Sequence, residues 1–209
     1  MSQMPRLLSV LLGVAALSCQ MSAQDPPAKP WQYRAEVFGN IAYGYVVSPS
    51  QDWGLGRDYG GGVGFRPFSG ALSGLGFEVQ VAKQSSTMKN LGPNASSHLD
   101  SHLVAADVLY HFRKRTMVQP YVLGGIGWMS ADYAYKRGAV TDPLTGQQVP
   151  PYERNVSGSK TGATLGAGLK IAINRHLSIR PEIFWLATSG GSPPYWNWLR
   201  FQIGLGFHL

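Results

Sequence analysis

The sequence has little cysteine and little charge. Cys19 is its only cysteine, and charged residues make up 14% of 209, against about 25% in an average soluble domain. A lone cysteine excludes a disulfide framework and a cysteine-based metal site. Disorder is excluded too, because disordered chains have few aromatics, whereas here they reach 11%. A mean hydropathy of -0.09 excludes a bundle of membrane helices. The 26 glycines, with 10 tyrosines and 6 tryptophans, favour a single all-β domain.

The N-terminus has the features of a secretory signal. Arg6 precedes an apolar run at 7–17, which is too short to cross a bilayer as a helix. Small residues follow at Ser22 and Ala23, so we expect a cleaved signal over 1–24, a short periplasmic lead over 25–30 and the folded domain over 31–209. The alternative is lipid attachment at Cys19. Either way the protein is expected to be exported.

The remaining sequence alternates between apolar and small or polar residues, which is typical of strands with two different faces. In the clearest segment, Leu165, Leu169 and Ile171 alternate with Thr164 and Lys170. No segment after the signal shows helical periodicity. The pattern predicts eight strands, over 33–47, 59–67, 75–82, 102–112, 118–128, 162–173, 177–185 and 200–209.

The composition of the two faces decides which one points outward. A soluble barrel needs an outer face dense in Lys and Glu, but the non-apolar face here is mostly Gly, Ala, Ser and Thr. Such a face suits the crowded interior of a small barrel, and the apolar face then meets lipid. The predicted fold is an eight-stranded antiparallel up-and-down transmembrane β-barrel. A soluble or lipid-anchored periplasmic ligand-binding barrel is the alternative.

The links and the aromatic residues support this topology. Predicted long links at 48–57, 84–97, 130–159 and 187–197 alternate with short ones at 69–74, 113–117 and 174–176, as in outer-membrane barrels. The longest should be an external loop with a binding role. Aromatic residues near the predicted strand ends form candidate interfacial belts; these are Trp31, Tyr33, Tyr43, Tyr45, Tyr110, Phe112, Trp128, Trp185, Tyr195, Trp196, Trp198 and Phe207.

Three segments resemble a known family. The segment 118–128 is similar to the "PYvgaGvG" strand of small outer-membrane β-barrel proteins, the porin-like or outer membrane protein A-like group, and 161–185 resembles a hairpin of that family. Gln202, Gly204, Phe207 and Leu209 resemble the C-terminal signal read by the barrel assembly machinery, although a terminal aromatic is commoner than Leu209. The resemblance implies an outer-membrane location and a partner in that machinery during biogenesis.

Charged residues on the predicted inner faces suggest a filled lumen. Buried charges must be paired, and an eight-stranded barrel has no wide channel. We therefore expect a charge network that plugs the lumen and excludes a general pore, formed by Arg34, Glu36, Arg66, Glu78, Asp107, Lys170, Arg180, Glu182 and Arg200. A polar gate for a small solute is the functional alternative.

A lipid A-modifying barrel enzyme is the competing function. It requires a serine beside a histidine, and His98, Asp100, Ser101 and His102 are the only local cluster of those types. His98 and His102 would lie about 13 Å apart on a strand, too far for one metal ion. We expect no catalytic, metal or cofactor site, and a structural, envelope-integrity or surface-interaction role.

Basic residues in or beside the external loops suggest a partner. Their charges would lie near lipopolysaccharide phosphates; the residues are Lys83, Lys89, Lys136, Arg137, Arg154 and Lys160. The expected partners are outer-membrane lipid and lipopolysaccharide, with no nucleic acid, and the expected state is a monomer.

Overall fold

A computed structural model describes residues 34–48, 51–88, 94–112, 116–142, 144–188 and 197–209. Eight long strands close into an antiparallel barrel in the order β1-β10-β9-β8-β5-β4-β3-β2, and β6 and β7 form a separate two-stranded sheet. The strands are β1 Ala35–Ser48, β2 Gln51–Phe65, β3 Leu75–Met88, β4 Ala95–His111, β5 Val118–Arg137, β6 Val140–Thr141, β7 Gln148–Val149, β8 Tyr152–Ala172, β9 Leu177–Thr188 and β10 Asn197–His208. In the described part, no helix is both long and apolar enough to span a bilayer. The predicted signal and periplasmic lead, with Trp31 and Tyr33, lie outside the described residues.

The two faces of each strand are placed as the alternation predicts. Apolar side chains point outward, and many are exposed; Ile41 and Ile126 are each 72% exposed. Polar and charged side chains on the opposite face are buried. Because water would penalise so much apolar surface on the outside, this arrangement suits lipid. The predicted fold class is confirmed.

The links differ from the prediction. The strand ends that the links 66–74, 112–117 and 173–176 connect lie at the same end of the barrel as the two ends of the described chain, which we call the turn end. At the opposite end, which we call the loop end, β1 ends at Ser48 and β2 already begins at Gln51. The prediction of a long first link over 48–57 is therefore wrong. The strands continue past the point where alternation fades. Beyond the membrane both faces can be polar, so backbone pairing persists without an apolar face to mark it.

The largest extension forms a protruding sheet. β5 and β8 have 20 and 21 residues, about twice what a tilted strand needs to cross a bilayer. β8 pairs with β9 only up to Gly162, opposite Thr188, but with β5 as far as Tyr152. We define the protruding sheet as residues 95–101 of β4, 130–137 of β5 and 152–161 of β8. It extends from one side of the loop end.

The expected thirty-residue third loop is reduced to 138–151, and this loop is ordered by a small hairpin. β6 pairs with β7 through Val140 and Val149. At its turn, the Asp142 carboxylate accepts hydrogen bonds from Leu144 N at 2.9 Å and Thr145 Oγ1 at 2.8 Å. Gly146 takes a φ of 67°, which glycine adopts without steric cost. The tip is therefore a defined structure at the far end of the protruding sheet.

Candidate functional site

Arg180, on β9, is the centre of the larger charge cluster in the lumen. Its Nη2 donates to Glu78 Oε2 at 2.8 Å, to Glu182 Oε2 at 3.3 Å and to the Tyr121 hydroxyl at 3.3 Å. The Tyr121 hydroxyl in turn donates to Glu182. The guanidinium carbon lies 4.1 Å from the centroid of the Phe38 ring. One buried cation thus holds side chains from four strands together.

Glu36, on β1, extends this cluster toward the turn end. Its carboxylate accepts a hydrogen bond from Lys170 Nζ and lies 3.6 Å from Arg180 Nη1 and 3.3 Å from His208 Nε2. The Glu36, Lys170 and Arg180 side chains are all at most 2% exposed. Glu36 therefore connects the first strand to the last, across the seam where the barrel closes.

A second cluster lies nearer the loop end. Arg200 binds Asp58 with two hydrogen bonds, from Nε to Oδ2 at 2.5 Å and from Nη2 to Oδ1 at 2.9 Å. Asp107 accepts hydrogen bonds from Gln80 Nε2 at 3.2 Å and from the Thr164 hydroxyl. Charged hydrogen bonds of this forked kind fix geometry as well as adding stability.

Above the second cluster, apolar side chains fill the lumen. Leu103, Met129, Leu186 and Trp198 are fully buried there. Trp198 is an interior residue with 0% exposure, so its assignment to an interfacial belt is wrong. Successive side chains of a strand point to opposite faces, and Trp198 is two residues from Arg200 and four from Gln202, which both point inward. Trp198 therefore points inward as well. The lumen is closed by charge pairs below and by apolar packing above.

Eight of the nine predicted network residues are buried in the lumen; these are Glu36, Arg66, Glu78, Asp107, Lys170, Arg180, Glu182 and Arg200. Arg34 is exposed, because it precedes β1 at the barrel rim where water reaches it. Asp58 was missed, since the predicted second strand began at Tyr59. Extending the alternation of Gly60, Gly62 and Gly64 back by one step would have placed Asp58 inside.

A small cavity remains at the turn end. It has a volume of about 10 Å³ and is lined by Glu36, Arg66, Glu78, His111 and Lys170, among others. That volume holds about one water molecule. Glu78 Oε1 and His111 Nε2 are buried here without a hydrogen-bond partner among the described residues. The cavity is suited to a bridging water and is too small for a solute.

Exposed aromatic side chains mark two levels on the outer surface. At the turn end they include Phe65, Phe77, Tyr110, Phe112 and Phe207, and toward the loop end Tyr43, Tyr59, Trp128 and Trp185. On β5, Val118 begins the strand at the turn end and Trp128 lies ten residues further, at the loop-end aromatic level. For a tilted strand this is roughly 25 Å along the barrel axis, which matches the height of the apolar band of such barrels. Tyr195 and Trp196 lie outside the described residues.

Basic side chains lie directly beside the loop-end aromatic level. Arg57 is opposite Tyr43 in the β1–β2 ladder, and Lys83 is opposite Tyr59 in the β2–β3 ladder. Tyr43 and Tyr59 are exposed on the outer surface, and residues opposite each other on a ladder share a face. Of the six basic residues predicted to contact lipopolysaccharide, Lys83 is the one at this level, whereas Lys89 lies outside the described residues.

The protruding sheet has two chemically different faces. On its outer face, Lys136 and Glu153 form an ion pair at 2.8 Å, and the hydrogen bond from Lys136 lowers the pKa of the Glu153 carboxyl. On its inner face, which continues the lumen wall, lie Arg137, Arg154 and Lys160 with Tyr133, Tyr135 and Tyr152. The inner-face positions of the sheet include no acidic residue. The external basic residues are thus divided between two surfaces.

The histidine cluster does not form a serine–histidine pair. Ser101 is fully buried in the lumen, whereas His102 is exposed on the opposite face of β4. His98 Nε2 lies 3.0 Å from Asp100 Oδ2. Partial burial raises the pKa of Asp100, but hydrogen bonds from Ser85 and His98 outweigh this and lower it overall. Among the described residues, no group of three or more His, Cys, Asp and Glu is arranged to hold a metal ion.

The four residues of the C-terminal signal lie in or directly after β10. Gln202 points inward and donates to Glu182 Oε1 at 2.5 Å. Phe207 and Leu209 point outward, 51% and 70% exposed, and Gly204 is buried between β1 and β9. The apolar residues of the segment therefore face lipid.

A closed barrel with an apolar outside and a filled, charged inside is a membrane β-barrel. The model of the outer membrane protein beta-barrel domain family matches residues 9–208. The chain belongs to this family, as its sequence predicted, and membership implies the outer membrane.

Solved structures show the same fold. Neisserial surface protein A is 15% identical in sequence and superposes with a TM-score of 0.60. The match covers 84% of this chain and 97% of the neisserial protein. Ail, the attachment invasion locus protein of Yersinia pestis, is 14% identical with a TM-score of 0.56. That match covers 85% of this chain and 99% of Ail. A major outer membrane protein from Thermus thermophilus is 16% identical with a TM-score of 0.54. The match covers 84% of this chain and 99% of the Thermus protein. A search of the curated proteins finds no sequence match.

Proposed function

We propose that this protein is a surface-interaction barrel, which anchors the protruding sheet in the outer membrane and presents it outside the cell. The observation that carries the proposal is the sheet itself. It extends β5 and β8 about ten residues beyond the length that a bilayer requires. Such an extension adds nothing to membrane crossing, and it places basic and aromatic side chains at the mouth of a barrel that is otherwise closed.

The filled lumen argues against a pore. Two charge clusters and a layer of buried apolar side chains occupy it, and the cavity described above holds about one water. The same plug suits an anchor, because its ion pairs join β9 to β1 and β3 and join β10 to β2. A structural contribution to the envelope follows from the same feature. Closure also pairs the barrel strands with one another, which favours a monomer.

The proposal predicts which end of the barrel is outside. In Leu144→Cys, whose position is 94% exposed at the hairpin tip, a membrane-impermeant maleimide should react on intact cells. The matched control is Arg175→Cys, exposed in the turn 173–176, which should react only after the outer membrane is permeabilised. Cys19 lies in the predicted signal, so each mature variant carries one thiol. The reverse labelling pattern would overturn the surface role.

Lipid A modification is the second candidate function that the sequence raised. The separation of Ser101 and His102 on opposite faces removes the arrangement that suggested it. His102 is opposite Ser130 in the β4–β5 ladder, but among the described residues no hydrogen bond joins a histidine ring to a serine on the outer face. A non-enzymatic role therefore has the better support.

Lipopolysaccharide is the lipid partner that we propose for the outer surface. Arg57 and Lys83 each lie opposite an exposed tyrosine of the loop-end aromatic level, where headgroup phosphates of the outer leaflet would be. Arginine binds phosphate through its planar fork and lysine as a point charge. Arg137, Arg154 and Lys160 lie on the inner face and do not face this lipid.

Replacing Arg57 and Lys83 by glutamine should weaken the association with lipopolysaccharide. We expect an apparent affinity about tenfold lower for the double variant, equivalent to about 1.4 kcal/mol, measured by titrating lipopolysaccharide into detergent-solubilised protein. Arg175→Gln, at the other end of the barrel, should leave the affinity unchanged. Equal affinities for all three proteins would show that these two cations do not bind the lipid.

A further inference from the structure

Two arginines and two tyrosines form a compact cluster near the tip of the protruding sheet. In the β5–β8 ladder, Tyr135 is opposite Arg154 and Arg137 is opposite Tyr152. All four side chains are on the inner face, and the two tyrosine ring centroids are 6.1 Å apart with their planes at 56°. Arg137 and Arg154 are diagonal neighbours on this ladder, and such positions are about 7–8 Å apart. We call these four residues the arginine–tyrosine tetrad.

The two arginines of the tetrad lie on a face of the protruding sheet that has no acidic residue. The acidic Glu153 points to the other face, where it pairs with Lys136. The inner-face positions of the sheet add Lys160 and no carboxylate. This separation is the reverse of the lumen below, where every charged cluster contains both signs. The surplus of positive charge on this face suits an anionic ligand.

The side chains of the tetrad are accessible, and one buried atom lacks a partner. Tyr152 is 49% exposed and Arg154 is exposed. Arg137 is half-buried, and its Nε is buried without a hydrogen-bond partner among the described residues. An N–H that has lost its water and gained no acceptor is costly. Because this Nε is closed to solvent, a ligand oxygen satisfies it only when the Arg137 side chain shifts to expose it.

We propose that the arginine–tyrosine tetrad binds an anionic saccharide, one whose sugar units carry carboxylate or sulfate groups. The inference rests on the surface role proposed above and names the class of ligand. The planar guanidinium forks match carboxylate and sulfate oxygens. The tilted tyrosine rings offer flat apolar surface with a polar edge, which suits a sugar ring with its apolar C–H groups and polar hydroxyls. An acidic polypeptide would use the charges but has no need of both rings.

The test measures binding of polygalacturonate by the folded mature protein in lipid nanodiscs free of lipopolysaccharide. The unmodified protein should bind polygalacturonate and not neutral dextran. Arg137→Gln and Arg154→Gln should each weaken binding about tenfold or more, since each removes a charged hydrogen-bond donor. Tyr152→Ala should weaken it comparably, and Tyr152→Phe should retain it. Lys136→Gln, on the outer face of the same sheet, is the matched control and should bind like the unmodified protein.

Two further ligands identify the source and class. The phosphorylated core oligosaccharide of the cell's own lipopolysaccharide shares the anionic saccharide chemistry, and stronger competition by it than by free polygalacturonate assigns the site to the envelope. Polyglutamate is the peptide comparison. If polyglutamate binds as tightly as polygalacturonate, and Tyr152→Ala changes the affinity for neither polymer, the site recognises charge alone. The saccharide assignment is then overturned. Absence of binding, or unchanged binding in both arginine variants, also overturns it.

Failure of this inference is distinguishable from failure of the surface role. Binding in nanodiscs does not depend on which end of the barrel faces outside, whereas the labelling of Leu144→Cys on intact cells tests that orientation. If Leu144→Cys is labelled on intact cells but polygalacturonate does not bind, only the proposed ligand is wrong and the surface role stands. The heat-dependent shift of the folded barrel on SDS gels checks that each variant is assembled, and all four positions lie above the barrel wall.

Discussion

Arg180→Met should destabilise the folded barrel by about 3–5 kcal/mol, the usual cost of removing one partner from a buried ion pair. Arg180 lies 2.8 Å from Glu78, 3.3 Å from Glu182 and 3.6 Å from Glu36. Methionine would leave Lys170, bound to Glu36, as the nearest remaining cation of the cluster. Carboxylates that lose a charged partner in a place without water must either stay ionised at high cost or take up protons.

The measurement is urea unfolding in lipid vesicles, with the cold and boiled positions on SDS gels as a second readout. Arg175→Met is the matched control, because it removes the same group from an exposed turn, and we expect a change within about 0.5 kcal/mol. If the two variants unfold at the same urea concentration, the charge clusters do not hold the barrel together, and the lumen plug loses its physical basis.

Val79→Arg should cost about 2–4 kcal/mol, the range for a cation at the bilayer midplane on the lipid face of a barrel. Val79 is 48% exposed on the outer surface of β3. It lies between Phe77, at the turn-end aromatic level, and Lys83, beside the loop-end level. In water an exposed arginine would be harmless, so the size of the effect reports directly on lipid.

Leu144→Arg is the control for this substitution. Leu144 is even more exposed, at 94%, but lies at the hairpin tip beyond the membrane. We expect its free energy of unfolding to change by no more than about 0.5 kcal/mol. Equal tolerance of arginine at both positions would contradict the lipid-facing assignment and favour the soluble barrel that the sequence left as an alternative.

Most of the barrel wall was predictable because one physical rule acts along every strand. Lipid on one side and a packed lumen on the other impose a period of two, so Thr164 and Lys170 could be assigned to the interior and Leu165 to the exterior from their positions alone. The same period, extended by one step, would have found Asp58. It would also have moved Trp198 from the belt to the lumen.

The protruding sheet was not predictable for a related reason. Outside the membrane the alternation weakens, since water accepts polar side chains on either face. Residues 130–137 and 152–159 therefore appeared to be parts of one long loop, although they form two paired strands. Backbone hydrogen bonds between distant segments leave no trace in the composition of either one.

The sequence by itself determined the fold class, the family, the inward or outward direction of most strand residues and the charged character of the lumen. Only the tertiary structure decided which charges meet, because Arg180 gathers Glu36, Glu78 and Tyr121 from strands far apart in the chain. It also divided the external basic residues between the outer surface and the inner face of the protruding sheet. Both depend on strand register and barrel closure, which set distances across the molecule that no local pattern encodes.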